Sequence, residues 1–184
     1  MIAWAESKRG GEGRSQRNQK LEIAELNRRV EEEVAKRPAA LRLRTHPGVG
    51  AVTSLAMVLT LGPAERFGCG KQVGSYFGLI PSEYSSGGRQ RLGHISKQGS
   101  SFLRFLLVEA GQTAVRYDPE LGRFYRRLAA RKHRALAKVA VARKLATRLY
   151  LMLREDWNYA QLCQAVVQVS PSHSVVEGQN RPLE

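Results

Sequence analysis

The sequence predicts a mainly α-helical domain with room for one short β-hairpin around Leu79–Ile95. Three observations lead there. Apolar residues recur at intervals of three and four through most of the chain, the spacing of one face of a helix. Proline and glycine punctuate those runs at Pro38, Pro47-Gly48, Gly62-Pro63 and Pro119. Only the stretch Gly78–Gly99, GLIPSEYSSGGRQRLGHISKQG, is rich in Gly and Ser instead. With 184 residues, 42 % apolar and 25 % charged, the chain suits one domain with a modest core plus appendages.

Residues 1–20 are polar and Gly/Arg/Gln-rich, and read as a mobile or aberrant start. Residues 21–37 read as a coiled-coil-like helix. Ile23, Leu26, Val30 and Val34 form its stripe, alternating charges cover the rest, and Pro38 ends or bends it. Residues 38–160 form the main helical domain. Its first part, THPGVGAVTSLAMVLTLG, sets a tight turn between Ala39–Thr45 and Ala51–Leu61 and resembles a helix-hairpin-helix element. In such an element Gly48 and Gly50 let a phosphate approach the free N–H groups and positive dipole end of the second helix. An ordinary helical hairpin that packs Leu55, Val58 and Leu59 into the core explains the same pattern.

Ala64–Phe67 and Lys71–Phe77 read as short helices, the second with Val73, Tyr76 and Phe77 inward and Gly78 as its stop. Ile80-Pro81 is extended. Ser100 caps a helix from Ser101 to about Val115, with Phe102, Leu106 and Ala110 marking its buried face. Asp118-Pro119 opens another through Leu121, Phe124 and Leu128. The last long helix carries Val139, Ala142, Ala146, Leu149 and Leu153 on one stripe, with Arg134, Lys138, Lys144 and Arg148 mostly off it. Trp157 and Tyr159 staple a short turn. Residues 161–184 read as a tail, polar from about Gln168.

The formal net charge is +14. Between Ser85 and Arg154 there are 16 Lys and Arg against Glu109, Asp118 and Glu120, so +13 of it lies there. So concentrated a charge expects a polyanion, because neutralised phosphates release their counterions. Arg104, Arg127, Arg131, Arg134 and Lys138 are the candidate nucleic-acid contacts. A membrane surface explains the charge less well, since no helix sets a large apolar face against a basic one. No signal peptide and no spanning segment is visible, and Cys69 and Cys163 form neither a disulfide framework nor a zinc pattern. A reduced, cytoplasmic setting fits, with residence on the bacterial nucleoid.

The Gly/Ser-rich loop carries the chemistry. Ser85 and Ser86 precede tandem glycines, and Arg89, Arg91 and Lys97 follow with no acid after Glu83. A serine hydroxyl attacking a phosphodiester conserves the bond's energy by transesterification, so strands can be rejoined without a nucleotide cofactor. Arg and Lys can stabilise the charge on the pentacoordinate phosphorus: Arg89 and Arg91 as bidentate forks, Lys97 as a point charge. His94 is either a proton shuttle or a plain polar loop residue. On spacing alone, a turn serine remains the simpler reading of Ser86.

The ordered run GL-x-P, Tyr-x-Ser-Gly and Gly-x-Ile-Ser-Lys-x-Gly, with KVAVARKLATRLYLMLR after it, resembles the carboxy-terminal half of bridge-RNA-guided insertion-sequence transposases of the IS116/IS110/IS902 type. The resemblance spans roughly residues 40–160. It implies DNA transposition and recombination through a serine nucleophile, with a covalent phosphoserine–DNA intermediate. It implies DNA and a structured guide (bridge) RNA as partners. It also implies multimers assembled partly through a coiled coil, as a homo-oligomer or with a full-length transposase. Alignment on Tyr-x-Ser-Gly places the serine at Ser86, with Ser85 one residue away.

The family's RuvC-like amino-terminal half, which binds divalent metal such as Mg through four acidic residues, has no counterpart here. Asp118 and Asp156 are the only aspartates and form no ligand cluster. No metal-binding residue is therefore assigned, and the chain reads as a truncated transposase, inactive alone. Two other readings stand beside it: a non-catalytic basic helical module that grips nucleic acid, and an interfering subunit that pairs with a full-length relative through Leu21–Lys36.

Overall fold

The computed structural model of the chain describes residues 2–83 and 92–169. In order the elements are α1 (Ile2–Ala35), α2 (Pro38–Leu43), α3 (Ala51–Leu61), a single 3₁₀ turn (Ala64–Arg66), α4 (Gly70–Tyr76), β1 (Pro81–Glu83), β2 (Leu92–Ile95), α5 (Ser101–Tyr117), α6 (Pro119–Ala129), α7 (Arg134–Arg154) and α8 (Tyr159–Val169). The two strands pair antiparallel, Pro81 opposite Ile95 and Glu83 opposite Leu92, with an irregularity between them. The domain is mainly α-helical with one short hairpin, as its periodicity requires.

Local signals set the boundaries. Pro38 takes the first position of α2, where its missing N–H is no loss. The Ser100 hydroxyl accepts from Leu103 N at 3.2 Å, and the Asp118 carboxylate accepts from Leu121 N at 2.8 Å, capping α5 and α6. Gly78 closes α4 with φ +65°. Its N–H donates to Ser75 O at 2.8 Å, and that of Leu79 donates to Gly74 O at 2.9 Å, so both orphan carbonyls are satisfied.

α7 is the central helix, packed by α4, α5 and α6. It buries Val141, Leu145, Ala146, Leu149, Tyr150 and Met152. Three close approaches give the directions of its neighbours. Gly111 of α5 lies against Val141, and Asp118, just past α5, pairs with Arg148, so α5 and α7 run parallel. Gly122 of α6 sits over Val115 O, so α6 runs back along α5. Gly70 and Gly74 of α4 face Thr147 and Arg143, so α4 runs opposite to α7.

Several expected burials are corrected. On α5 the buried row is Leu103, Leu107, Ala110, Gly111 and Ala114, one position round from the expected stripe. Phe102 is 58 % exposed and Leu106 only half-buried. Small residues win this face because Gly48 and α7 press directly on it. On α3, Thr53, Ser54, Met57 and Leu61 are buried, whereas Leu59 is exposed. Tyr76 is partly exposed and packs its ring against Phe67. Arg148, expected off the stripe, is 5 % exposed.

Both ends of the chain also differ from expectation. α1 begins at Ile2, upstream of the expected Leu21. Leu21, Ile23 and Leu26 are exposed on it, and only Val34 of its stripe is fully buried. α8 continues to Val169 and buries Leu162 in the core, so 161–169 are not tail. Trp157 and Tyr159 pack against the same core.

Candidate nucleic-acid interface at the hairpin end of the bundle

The loop that carries the serines leaves and re-enters the bundle through a narrow neck. Its outgoing limb is Tyr76–Ile80 and its return limb is Ser96–Gly99. Ser96 N donates to Ile80 O at 2.9 Å and Lys97 N to Gly78 O at 3.2 Å, extending the hairpin ladder to the end of α4. Gly78 has backbone of the return limb against it: a Cβ there would lie 2.8 Å from Lys97 C and overlap Gln98. Gly99, at φ +73°, meets the Tyr76 carbonyl in the same way. Glycine at both positions is thus required by close approach as well as by conformation.

Arg104 locks this neck. Its Nη1 donates to Gln98 O at 2.5 Å, Gly99 O at 3.2 Å and Phe77 O at 3.3 Å, so one guanidinium nitrogen ties both limbs to α5. Nothing in the helical periodicity separates this role from an outward cation, and the expected phosphate contact competes with it. Lys97 is exposed and held at φ +55°, outside the usual range for a side-chain-bearing residue. His94 is exposed on β2, where its carbonyl accepts from Ser82 Oγ at 2.8 Å. Ser85, Ser86, Arg89 and Arg91 lie outside the described residues.

The parallel run of α5 and α7 brings a second feature to the same end. α5 starts and α6 finishes there, and the α6–α7 connection lies between. Arg127, Arg131, Lys132 and Arg134 are exposed along it, while Arg123 and Arg126 are exposed on earlier turns of α6, the Arg126 guanidinium lying back over Gly122. Among the described residues no carboxylate pairs with any of them. Arg127, Arg131 and Arg134 thus follow one another through the last turn of α6, the connection and the first residue of α7, on the side of the bundle where α5 begins. Lys138 is set apart, half-buried in a shallow cleft of about 210 Å³ with Arg116, Tyr125 and Gln112. Arg143 was not foreseen. Its stem lies over Gly74 beside Ile80 at the base of the hairpin, and it is exposed.

Gly48 and Gly50 are elsewhere. Gly48, at φ +83°, approaches the backbone of α5 so closely that a Cβ would sit 2.5 Å from Ala110 O and 2.7 Å from Ala114 N. Helix packing alone accounts for this glycine. Gly50 caps α3, is exposed and has open space about it. At ~1.5 Å per residue the turn stands roughly 9–15 Å along α5 from Arg104. One phosphate cannot touch both places.

Beyond this turn is a buried polar cluster that sequence reasoning missed. Arg148 Nη1 donates to Asp118 Oδ2 at 2.5 Å and Nη2 pairs with Glu120, which also binds Lys144 at 2.5 Å. Tyr159 OH donates to Asp118 Oδ2 at 2.9 Å. Burial pushes the Asp118 carboxyl up, but the Leu121 N–H, Arg148 and Tyr159 outweigh it and hold it below its usual range. The ring of Tyr159 stands edge-on to His46 at 4.9 Å. His46 is buried and neutral, pushed down to about 4 chiefly by burial, with Nδ1 bonded to Pro47 O at 2.9 Å. The available signal was the row Val141, Leu145, Arg148, Met152, spaced four, three, four, which sets an arginine on a buried face.

Both aspartates are thus engaged, Asp118 with Arg148 and Asp156 with Arg42. Among the described residues no three of His, Cys, Asp and Glu are grouped as a metal site requires. The described residues therefore do not fit a divalent cation.

Residues 40–126 match the model of the family described as "Transposase IS116/IS110/IS902 family". The chain belongs to the IS116/IS110/IS902 transposase family. It is 33 % identical over 141 residues to a "Probable family 20 transposase" of Pseudomonas aeruginosa, covering 74 % of this chain and 42 % of that protein. It is 33 % identical over 129 residues to the transposase for insertion sequence element IS1328 of Yersinia enterocolitica, covering 68 % and 39 %. With the transposase for IS1111A of Coxiella burnetii it shares 30 % over 122 residues, covering 64 % and 34 %. The chain thus spans less than half the length of these transposases. The family match includes the turn, the neck, α5 and most of α6. Among the described residues no helix is long and apolar enough to cross a membrane.

Proposed function

We propose that this chain is the DNA-engaging, serine-bearing part of an insertion-sequence transposase, and that it meets DNA at the hairpin end of its bundle. One observation carries the reading. The register of α5, α6 and α7 sets the α6–α7 connection, whose arginines and lysines are unpaired among the described residues, on the side of the bundle where α5 leaves the neck of the serine loop, which supports a phosphodiester held there within reach of the loop. Ser86 is the nucleophile. Its Oγ gives up its proton to solvent and bonds to phosphorus, the phosphorus–sugar oxygen bond breaks, the departing oxygen takes up a proton, and the covalent phosphoserine–DNA link retains the energy needed to rejoin strands. Arg89, Arg91 and Lys97 stabilise the charge on the phosphorus, while Arg104 positions the loop. Arg127, Arg131 and Arg134 neutralise backbone phosphates.

The metal ligands of the full reaction, and with them a divalent ion such as Mg, are supplied from outside this segment. A guide RNA selects the DNA, and the exposed Leu21, Ile23 and Leu26 of α1 pair with a second helix. The deciding test traps protein covalently on end-labelled DNA, with this chain alone and with a full-length relative whose own loop serine is alanine. An adduct on this chain is expected only in the mixture, and it vanishes in Ser86→Ala while surviving in Ser85→Ala. An adduct formed alone overturns the dependence on a partner, and one that survives Ser86→Ala overturns the nucleophile. DNA binding without any adduct in either case supports the alternative, a non-catalytic nucleic-acid-binding module.

A further inference from the structure

We infer that the first turns of α5 form an aromatic platform on which unpaired bases stack beside the DNA backbone held at the hairpin end. Phe102 and Phe105 are 58 % and 61 % exposed, on a helix that buries alanine and glycine on its opposite side. Three residues apart, they share one face of α5. Two large apolar rings left in water next to a functional loop need an occupant.

The surroundings say which kind. α6 runs back along α5, with Gly122 over Val115 O and Tyr125 beside Gln112. Continuing that register sets the end of α6 and the connection 130–133 level with the first turns of α5. By that register Arg127, Arg131, Lys132 and Arg134, exposed and unpaired among the described residues, lie toward the rings. Glu109 is the one acidic residue of α5, one turn further on. An apolar protein surface would not select a rim of one charge. A nucleic-acid strand does, because its phosphates meet the cations while its bases, once unstacked, offer flat faces to the rings. Duplex DNA keeps its bases stacked inside, so the preferred ligand has an unpaired stretch. The inference rests on the proposed DNA-binding reading and narrows it to locally melted or single-stranded DNA.

The test compares three 30-nucleotide probes of one sequence composition: a duplex, the same duplex with a central four-base bubble, and a single strand. Affinity is measured by fluorescence anisotropy at fixed salt for the wild-type chain, F102A/F105A, and the conservative F102Y/F105W. The wild type should bind the bubble and the single strand tighter than the duplex. The alanine pair should lose about tenfold or more on those two probes and little on the duplex. The Tyr/Trp pair should restore the preference. Quenching of 2-aminopurine in the bubble should follow the same order and reports stacking directly.

Equal affinity of the wild type for all three probes, or an alanine pair that keeps the preference and the quenching, overturns the platform and leaves DNA binding standing. Failure to bind any probe overturns both readings. Monomerisation of a wild-type oligomer by F102A/F105A, with DNA preference unchanged, would make this face a protein interface instead.

Discussion

Arg104 Nη1 lies 2.5 Å from Gln98 O, and the same nitrogen reaches Phe77 O across the neck of the serine loop. A cation on the first turn of α5 thereby fixes where a 20-residue excursion of the chain, residues 78–97, leaves and returns. Removing it leaves three carbonyls without their charged donor. Arg104→Met should destabilise the fold by about 1–3 kcal/mol, and Arg104→Lys by less. Urea unfolding of the variants measures this. Adduct formation in the mixed assay should fall in Arg104→Met even at urea concentrations where the chain is fully folded.

Gly78→Ala should be worse than an ordinary loop substitution. Alanine at φ +65° costs about 1–2 kcal/mol in backbone conformation alone, and its methyl group overlaps the return limb. Gly50→Ala, with open space around it and φ −89°, should lose only the weaker N-cap preference of alanine, about 1 kcal/mol or less. Midpoints of chemical denaturation for the two variants should separate clearly.

The Arg148–Asp118 pair is buried at both partners, 7 % and 2 % exposed. Arg148→Met leaves the Asp118 carboxylate without its cation and should cost about 3–5 kcal/mol. Asp118→Asn added to it should recover part of the loss, because the stranded charge is then gone. A double-mutant cycle read from denaturation gives the coupling.

Acid should destabilise the domain before its carboxylates titrate. His46 falls from 6.5 to about 4 in the folded chain, so between those values the unfolded chain binds the extra proton. Stability from this residue is complete above pH 6.5 and declines as pH falls toward 4, by about 2–3 kcal/mol at pH 4.5. Asp118, held low, adds a further loss as pH falls through its folded value. His46→Gln should flatten the first part of the pH profile of the denaturation midpoint and leave the acid limb.

DNA affinity should fall steeply with salt. Each phosphate contact contributes about 0.9 to the slope of log K against log salt on duplex DNA. Arg127→Gln, Arg131→Gln and Arg134→Gln should each lower affinity, and together flatten the slope by about two to three. Arg116→Gln, in the cleft with Lys138, should leave the slope unchanged. Anisotropy titrations across a salt series resolve the difference.

Most of the helical framework was legible because its signals are local. Pro38, Ser100, Asp118 and Gly78 mark boundaries through caps and fixed φ angles, and α3 and the hairpin fall where periodicity and Gly/Ser content place them. On α5 the periodicity finds Ala110 but sets Phe102 and Leu106 beside it, since hydrophobicity favours them, whereas the backbone approach of Gly48 and the side chain of Val141 select Gly111 and Ala114. Arg104 and Arg148 were read as surface cations. Their partners, the carbonyls of Phe77 and Gln98 and the carboxylate of Asp118, are brought to them by tertiary packing, which no window of sequence contains. The parallel course of α5 and α7, which sets the basic connection on the side where α5 begins, is likewise a property of the assembled bundle.

Hydrogen exchange on the chain with and without DNA tests most directly whether the hairpin end is the nucleic-acid face. The account predicts slowed exchange in residues 94–104 and 126–138 on binding, with 46–52 unchanged. Protection confined to 46–52, with the neck and the α6–α7 connection exchanging as in the free chain, would contradict it.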